Sequence, residues 1–249
     1  MEIIRVASEN YDRYEELLLQ RDQLEKEAEG YRLEYTREFG DLITESFKAK
    51  IECIGIKKSI TYCQTRKNKG LSINSAEMKD YLDTHMAAYY TELNSLIAQH
   101  NFAKSGKPIS PNQVSEIKKI YRRLAKMLHP DISPLTSKYP ELLTMFRDVI
   151  SAYRNNDLKR LQELDVMIAK TLDEIGEEHV DIVIPNVEER ISELEEEIAR
   201  IIRTEPYTYK EILADAFKVE EKKKALEKEL EDYKTYLGEL QKILSGLLA

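Results

Sequence analysis

Residues 117–131 read IKKIYRRLAKMLHPD. Ile117, Ile120, Tyr121, Leu124 and Leu128 recur at three- and four-residue intervals, the spacing of one apolar helix face. Val114 extends that face backwards. Ser110 is placed to cap the helix, with Pro111 at its first position and Gln113 at its third. Pro130 ends it, because proline disfavours helical geometry in the preceding residue and has no backbone N–H to donate. Termination alone does not account for His129 and Asp131 on either side of the proline. Nor does it account for Lys118, Lys119, Arg122, Arg123 and Lys126 upstream. From 114 to 131 these five basic residues stand against only Glu116 and Asp131, in a chain of net charge −8. Such a local reversal of sign fits docking onto an acidic protein surface. It also fits an ordinary solvated helix face.

Outward from this stretch the chain reads as helix almost throughout. The loop HPDISPLTSKYP leads into a helix starting near Pro140, with Leu142, Phe146, Val149, Ile150 and Tyr153 on one side. Beyond Asn155-Asn156 a further helix carries Leu158, Leu161, Leu164, Ile168, Leu172 and Ile175 and ends at Gly176. Upstream, Asn74 with Glu77 three residues on predicts a capping box. That helix carries Met78, Tyr81, Leu82, Tyr89, Leu93, Leu96 and Ile97 to about residue 102, and KSGKPISP (104–111) is a loop.

The ends of the chain carry coiled-coil patterns. Leu24, Ala28, Tyr31, Tyr35, Glu38 and Leu42 alternate four and three within a segment from about Ser8 to Lys69. Glu38 is a flaw in that seam, Gly40 and Gly55 are candidate bends, and RKNKG (66–70) is a helix end. HVDIVIP (179–185) is expected to be an extended connector. Asn186, with Glu189, is expected to cap a helix bearing Val187, Ile191, Leu194, Ile198 and Ile201, which Pro206 ends. Thr208, with Glu211, is expected to cap the last helix. Its seam is Ile212, Ala216, Val219, Lys223, Leu226, Leu230, Tyr233, Leu237, Leu240 and Leu244, and it should run roughly 55 Å. Such a helix cannot bury its seam alone. The N-terminal helix has a length suited to pair with it, within the chain or in a dimer.

Composition agrees with an all-α fold. Of 249 residues 34% are charged, with only 8 Gly and 7 Pro, so helix is favoured over sheet. The 42% hydrophobic content argues against disorder. With no Trp and 5 Phe, the core must come from Leu, Ile and Tyr. The acidic balance opposes nucleic acid as a partner. MEIIRVASEN has no basic leader before an apolar run, and no stretch approaches 18 apolar residues. A soluble, cytoplasmic chain with no membrane contact is the expectation. Cys53 and Cys63, ten residues apart with no nearby His, are expected to be buried free thiols, not metal ligands. His85, His100 and His179 are isolated and read as ordinary polar residues.

Two motifs, in order, resemble the J-domain (DnaJ-like) co-chaperones. The family's second helix follows I-K-K-A-Y-R-K-L-A-x-x-Y-H-P-D, and residues 117–131 stand close to it. Its third helix carries F-x-x-I-x-x-A-Y, and here Phe146, Val149, Ala152 and Tyr153 have that spacing. Pro134 fits the loop between them. The similarity covers about residues 110–156. Leu128 replaces an aromatic, Ile120 replaces a small residue, and the loop to Phe146 is longer. YYTEL (89–93) resembles the family's first-helix motif but lacks its Gly and lies further upstream, so a first helix lengthened to roughly 75–102 is expected. The Gly/Phe-rich linker and zinc modules of other members are absent from this sequence.

The resemblance implies a J-domain-like helical hairpin, and with the coiled-coil patterns on either side the chain is expected to divide as 1–70, 71–176 (motif core 110–156) and 177–249. It implies a partner, a DnaK-type heat-shock chaperone in its ATP state. Lys118, Lys119, Arg122, Arg123 and Lys126 would meet an acidic patch, and His129, Pro130 and Asp131 would reach the interface between ATPase domain, linker and lid. Asp131 could make a charge-assisted bond to a partner Arg. Pro130 would fix the loop at low entropic cost, and the two-sided imidazole of His129 could hold the turn from within. ATP is bound and hydrolysed by the partner, so no cofactor, metal or catalytic residue is implied. The coiled coils would serve dimerisation, or presentation to a client or assembly. The alternative is a structural coiled-coil scaffold with a degenerate, non-stimulating J-like domain. An enzyme using His129 and Asp131 as an acid–base pair is disfavoured, because no nucleophile, oxyanion donors or phosphate-binding loop lie nearby.

Overall fold

The computed structural model describes residues 9–106, 109–176 and 186–248. All regular structure among them is helical: α1 (Glu9–Asn68), α2 (Ser75–Ser105), α3 (Pro111–Leu128), α4 (Leu135–Lys138), α5 (Pro140–Arg154), α6 (Leu158–Ile175), α7 (Val187–Arg203), a 3-10 turn (Tyr207–Tyr209), α8 (Lys210–Leu213) and α9 (Ala216–Leu248). The expected connector 179–185, with His179, lies outside the described residues. No helix among the described residues is long and apolar enough to cross a membrane.

The chain forms two compact units, each drawn from separated stretches of sequence. One comprises 1–29 and 107–207, the other 30–106 and 208–249. This grouping differs from the contiguous segments 1–70, 71–176 and 177–249. The reason is side-chain pairing: α2 and α9 both bury their apolar faces on the second part of α1.

In the second unit α2 runs antiparallel to α1. Lys104 pairs with Asp41 at 2.8 Å, Arg37 Nε donates to the Ala103 carbonyl at 3.1 Å, and Met86 packs in one cluster with Ile51 and Leu93. Further along, Cys63 Sγ lies 4.0 Å from Met78 Sδ. The helix α9 runs parallel to α1. Glu38 pairs with Lys223, Cys53 Sγ donates to the Tyr233 carbonyl at 3.4 Å, and Cys53, Ile60 and Leu240 form a buried cluster. The long helices therefore pair within the chain, and the two charged positions of their seams face each other. The helix α1 is continuous through Gly40 and Gly55. At Gly40 the missing side chain has a purpose: a Cβ there would lie 2.4 Å from Cδ2 of the buried His100 ring.

Helix ends follow the capping rules in most places. Asn74 Oδ1 accepts from the amides of Ala76 and Glu77. Ser110 and Gln113 form the reciprocal capping box, and Gly70 takes the left-handed conformation just past α1. Two expectations are corrected. Asn186 has left-handed geometry and makes no side-chain cap bond; its Nδ2 reaches Glu189 instead, at 3.3 Å. Thr208 does not start the last helix. A 3-10 turn and α8 intervene, and Asp215 caps α9 by accepting from the amides of Phe217 and Lys218.

The first unit has the larger continuous core. Ile117, Tyr121, Leu124, Ala125 and Leu128 of α3 pack with Leu142, Phe146, Val149, Ala152 and Tyr153 of α5 and Leu161, Leu164, Ile168 and Leu172 of α6. Leu19 of α1 enters the same cluster. Val114, expected on the apolar face, is exposed, because the buried side chains of α3 begin only at Ile117.

Candidate functional site: the α3 edge and its His-Pro-Asp loop

The helix α3 ends where the amide of His129 donates to the Ala125 carbonyl. The His129 carbonyl then accepts from the amides of Ile132 and Ser133, at 3.0 and 2.8 Å. The chain thus turns tightly around Pro130 and Asp131. The imidazole is only 6% exposed. It lies edge-on to the Phe146 ring, with 5.5 Å between centroids. Its Nδ1 accepts from the Asp131 amide at 3.2 Å, which puts the proton of the neutral ring on Nε2. Burial holds the His129 pKa below the usual histidine value; Asp22 and Asp131 pull it upward and Arg21 downward. A neutral histidine inside the turn therefore holds the loop, while Pro130 and Asp131 are exposed, with one carboxylate oxygen of Asp131 3.7 Å from Nδ1.

The rest of the loop is packed, not loose. Ile132, Ser133, Leu135 and Thr136 are buried, and Thr136 Oγ1 donates to the Ser133 carbonyl at 3.0 Å. Leu128 is fully buried in the α3–α5–α6 core.

The five basic residues of α3 do not share one environment. Arg123 pairs with Asp165 of α6, and Gln162 of α6 donates to Glu116 at 2.8 Å. Lys126 pairs with Glu15 of α1, whose side chain is itself buried. Lys118 is half-buried, and Lys119 and Arg122 are exposed. No cluster of three or more His, Cys, Asp or Glu suited to a metal occurs among the described residues. Cys53 and Cys63 are buried free thiols.

Sequence reasoning missed the part of α1 that lies along α3 and α5. Tyr121 stacks on Tyr153 at 3.8 Å, and its hydroxyl donates to Asp22 Oδ2 at 2.6 Å. Asp22 Oδ1 accepts from Arg21 at 2.8 Å. Lys26 Nζ sits 3.8 Å from the Tyr153 ring centroid, and Glu25 pairs with Arg154 at 3.1 Å. Burial lowers the Lys26 pKa to about 8 and raises that of Tyr153 to about 12, with Asp22 and Glu27 adding to the latter. A signal for this face was present. Glu15, Asp22 and Glu25 stand seven and three residues apart, so acids recur along one side of the helix.

Comparison of the chain with protein-family models, with curated proteins and with solved structures gives no significant match.

Proposed function

We propose that this chain is a co-chaperone adaptor that docks a DnaK-type heat-shock chaperone through the α3 edge and its His-Pro-Asp loop and stimulates ATP hydrolysis by that partner. The chain itself is no enzyme in this reading. The observation that carries it is the division of labour at the loop. The His129 ring is buried and bonded to the Asp131 amide, while Pro130 and Asp131 are exposed. A rigid turn presenting one carboxylate is suited to engaging a cationic group on a partner. Exposed Lys119 and Arg122 beside it favour encounter with an acidic surface. The coiled-coil unit is proposed to bind a client or assembly, or a second copy, with action in the cytoplasm.

A steady-state ATPase assay with the cognate chaperone tests this. Wild type should raise turnover, and His129→Gln and Asp131→Asn should each abolish the increase with helicity intact. No stimulation by the folded wild-type chain would overturn the proposal.

One observation favours the second reading, a scaffold with a non-stimulating J-like domain. Tyr121 and Lys126 of the α3 edge are already engaged by α1. In that case assembly in cells would be indifferent to Asp131→Asn.

A further inference from the structure

Resting on the co-chaperone reading of α3, we propose that residues 11–28 of α1 are a built-in cover for the docking edge, and that stimulation stays low until this segment moves aside.

Lys118, Tyr121, Ala125 and His129 follow one another at three- and four-residue steps, so they form a single stripe leading into the loop. Tyr121, Ala125 and His129 are 3%, 0% and 6% exposed. On this stripe Tyr121 stacks on Tyr153 and His129 lies edge-on to Phe146, both of α5, while α1 runs antiparallel to α3, with Asp22 meeting Tyr121 and Glu15 meeting the adjoining Lys126. Glu25 adds an ion pair to Arg154 at the end of α5. The far side of α3 is occupied differently, by Asp165 and Gln162 of α6. An acidic helix thus already lies along one flank of the edge, beside the exposed Lys119 and Arg122.

The chemistry of the contact decides between a permanent wall and an exchangeable cover. The helices α3, α5 and α6 share a fully apolar core. From residues 11–28 Leu19 joins that cluster, while Tyr11, Tyr14, Leu17, Leu18, Leu24 and Ala28 are buried without being part of it. The remaining contacts described between α1 and the α3–α5 pair are ion pairs, a hydroxyl–carboxylate bond and a cation over a ring. A partner carrying carboxylates can replace such contacts one for one.

The test uses the full chain in the chaperone ATPase assay, comparing wild type with Glu15→Ala, Asp22→Ala and Glu25→Ala combined. Releasing the cover should lower the chain concentration for half-maximal stimulation about tenfold, as when an open form rises from about a tenth to nearly all of the population. Equal half-maximal concentrations and equal maxima would overturn the cover and leave the co-chaperone reading standing. Stimulation by neither chain would overturn both. Should the triple variant fail to fold, hydrogen exchange on the wild-type chain gives the answer. With the ATP-bound chaperone added, amides of 11–28 should lose protection while those of 118–131 gain it. Protection of 118–131 with 11–28 unchanged would overturn the cover alone.

Discussion

The hydroxyl of Tyr121 on α3 donates a 2.6 Å hydrogen bond to Asp22 on α1, and the same carboxylate accepts from Arg21 through its other oxygen. A buried tyrosine that stacks on Tyr153 thereby finds the partner its hydroxyl needs. Tyr121→Phe keeps the stack and removes the bond. Because the acceptor is a carboxylate, the variant should lose about 1.5–3 kcal/mol of stability. Urea unfolding of the α3 region checks this, and an unchanged midpoint would show that water substitutes for the hydroxyl.

Gly40 and Gly30 offer a matched pair on one helix. Alanine normally stabilises a helix interior by about 0.8–1 kcal/mol over glycine. At Gly30 a Cβ would meet nothing within 4 Å, so Gly30→Ala should show that gain. At Gly40 it would lie 2.4 Å from His100 Cδ2 and 2.8 Å from Cγ. Overpacking of about 1–3 kcal/mol should then outweigh the propensity gain. The expected result is opposite signs in thermal unfolding, with His100→Ala relieving the Gly40→Ala defect.

The contrast between these glycines marks what sequence can convey. Helices α3, α5 and α6 were legible because their apolar residues keep helical spacing and their ends carry local signals, the Ser110–Gln113 box among them. Glu38 was visible as a departure from its seam, and Lys223 stood within the seam of the last helix. Their mutual pairing was not visible, because periodicity identifies a buried face without naming what covers it. The same limit hid the contact of α1 with α3: Glu15 and Asp22 look like solvated charges until a second helix supplies Lys126 and Tyr121. Asp215 was passed over as a cap because Thr208 and Glu211 offer the same local pattern seven and four residues earlier. At the loop, His129 and Asp131 were legible as a motif, whereas the bond from the Asp131 amide to the ring emerges only with the turn.

Cys53 and Cys63 are 3% and 0% exposed, one bonded to the Tyr233 carbonyl and the other against Met78. Thiol reagents react with exposed thiolate. Neither residue should be modified in the folded chain over minutes, and both should react in denaturant. Rapid native labelling of Cys53 in particular would show that α9 leaves α1 readily, since that thiol is covered by α9.

The pH dependence of the first unit should carry the mark of His129. Burial lowers its folded-state pKa, against the pull of Asp22 and Asp131 and with the push of Arg21. Above the unfolded value of about 6.5 both states hold a neutral ring, so this group adds no pH dependence there. As pH falls below about 6.5 the unfolded chain takes up a proton that the folded chain refuses. Stability must then decline, at up to about 1.4 kcal/mol per pH unit, until the folded pKa is reached. In His129→Gln that decline should be absent, and the difference between the two chains cancels the other histidines. NMR of the ring reads the proton directly: the His129 midpoint should fall below 6.5. A midpoint above 6.5 would mean that the carboxylates of Asp22 and Asp131 outweigh burial, so that the ring enters the turn as a cation and cannot accept the Asp131 amide through Nδ1.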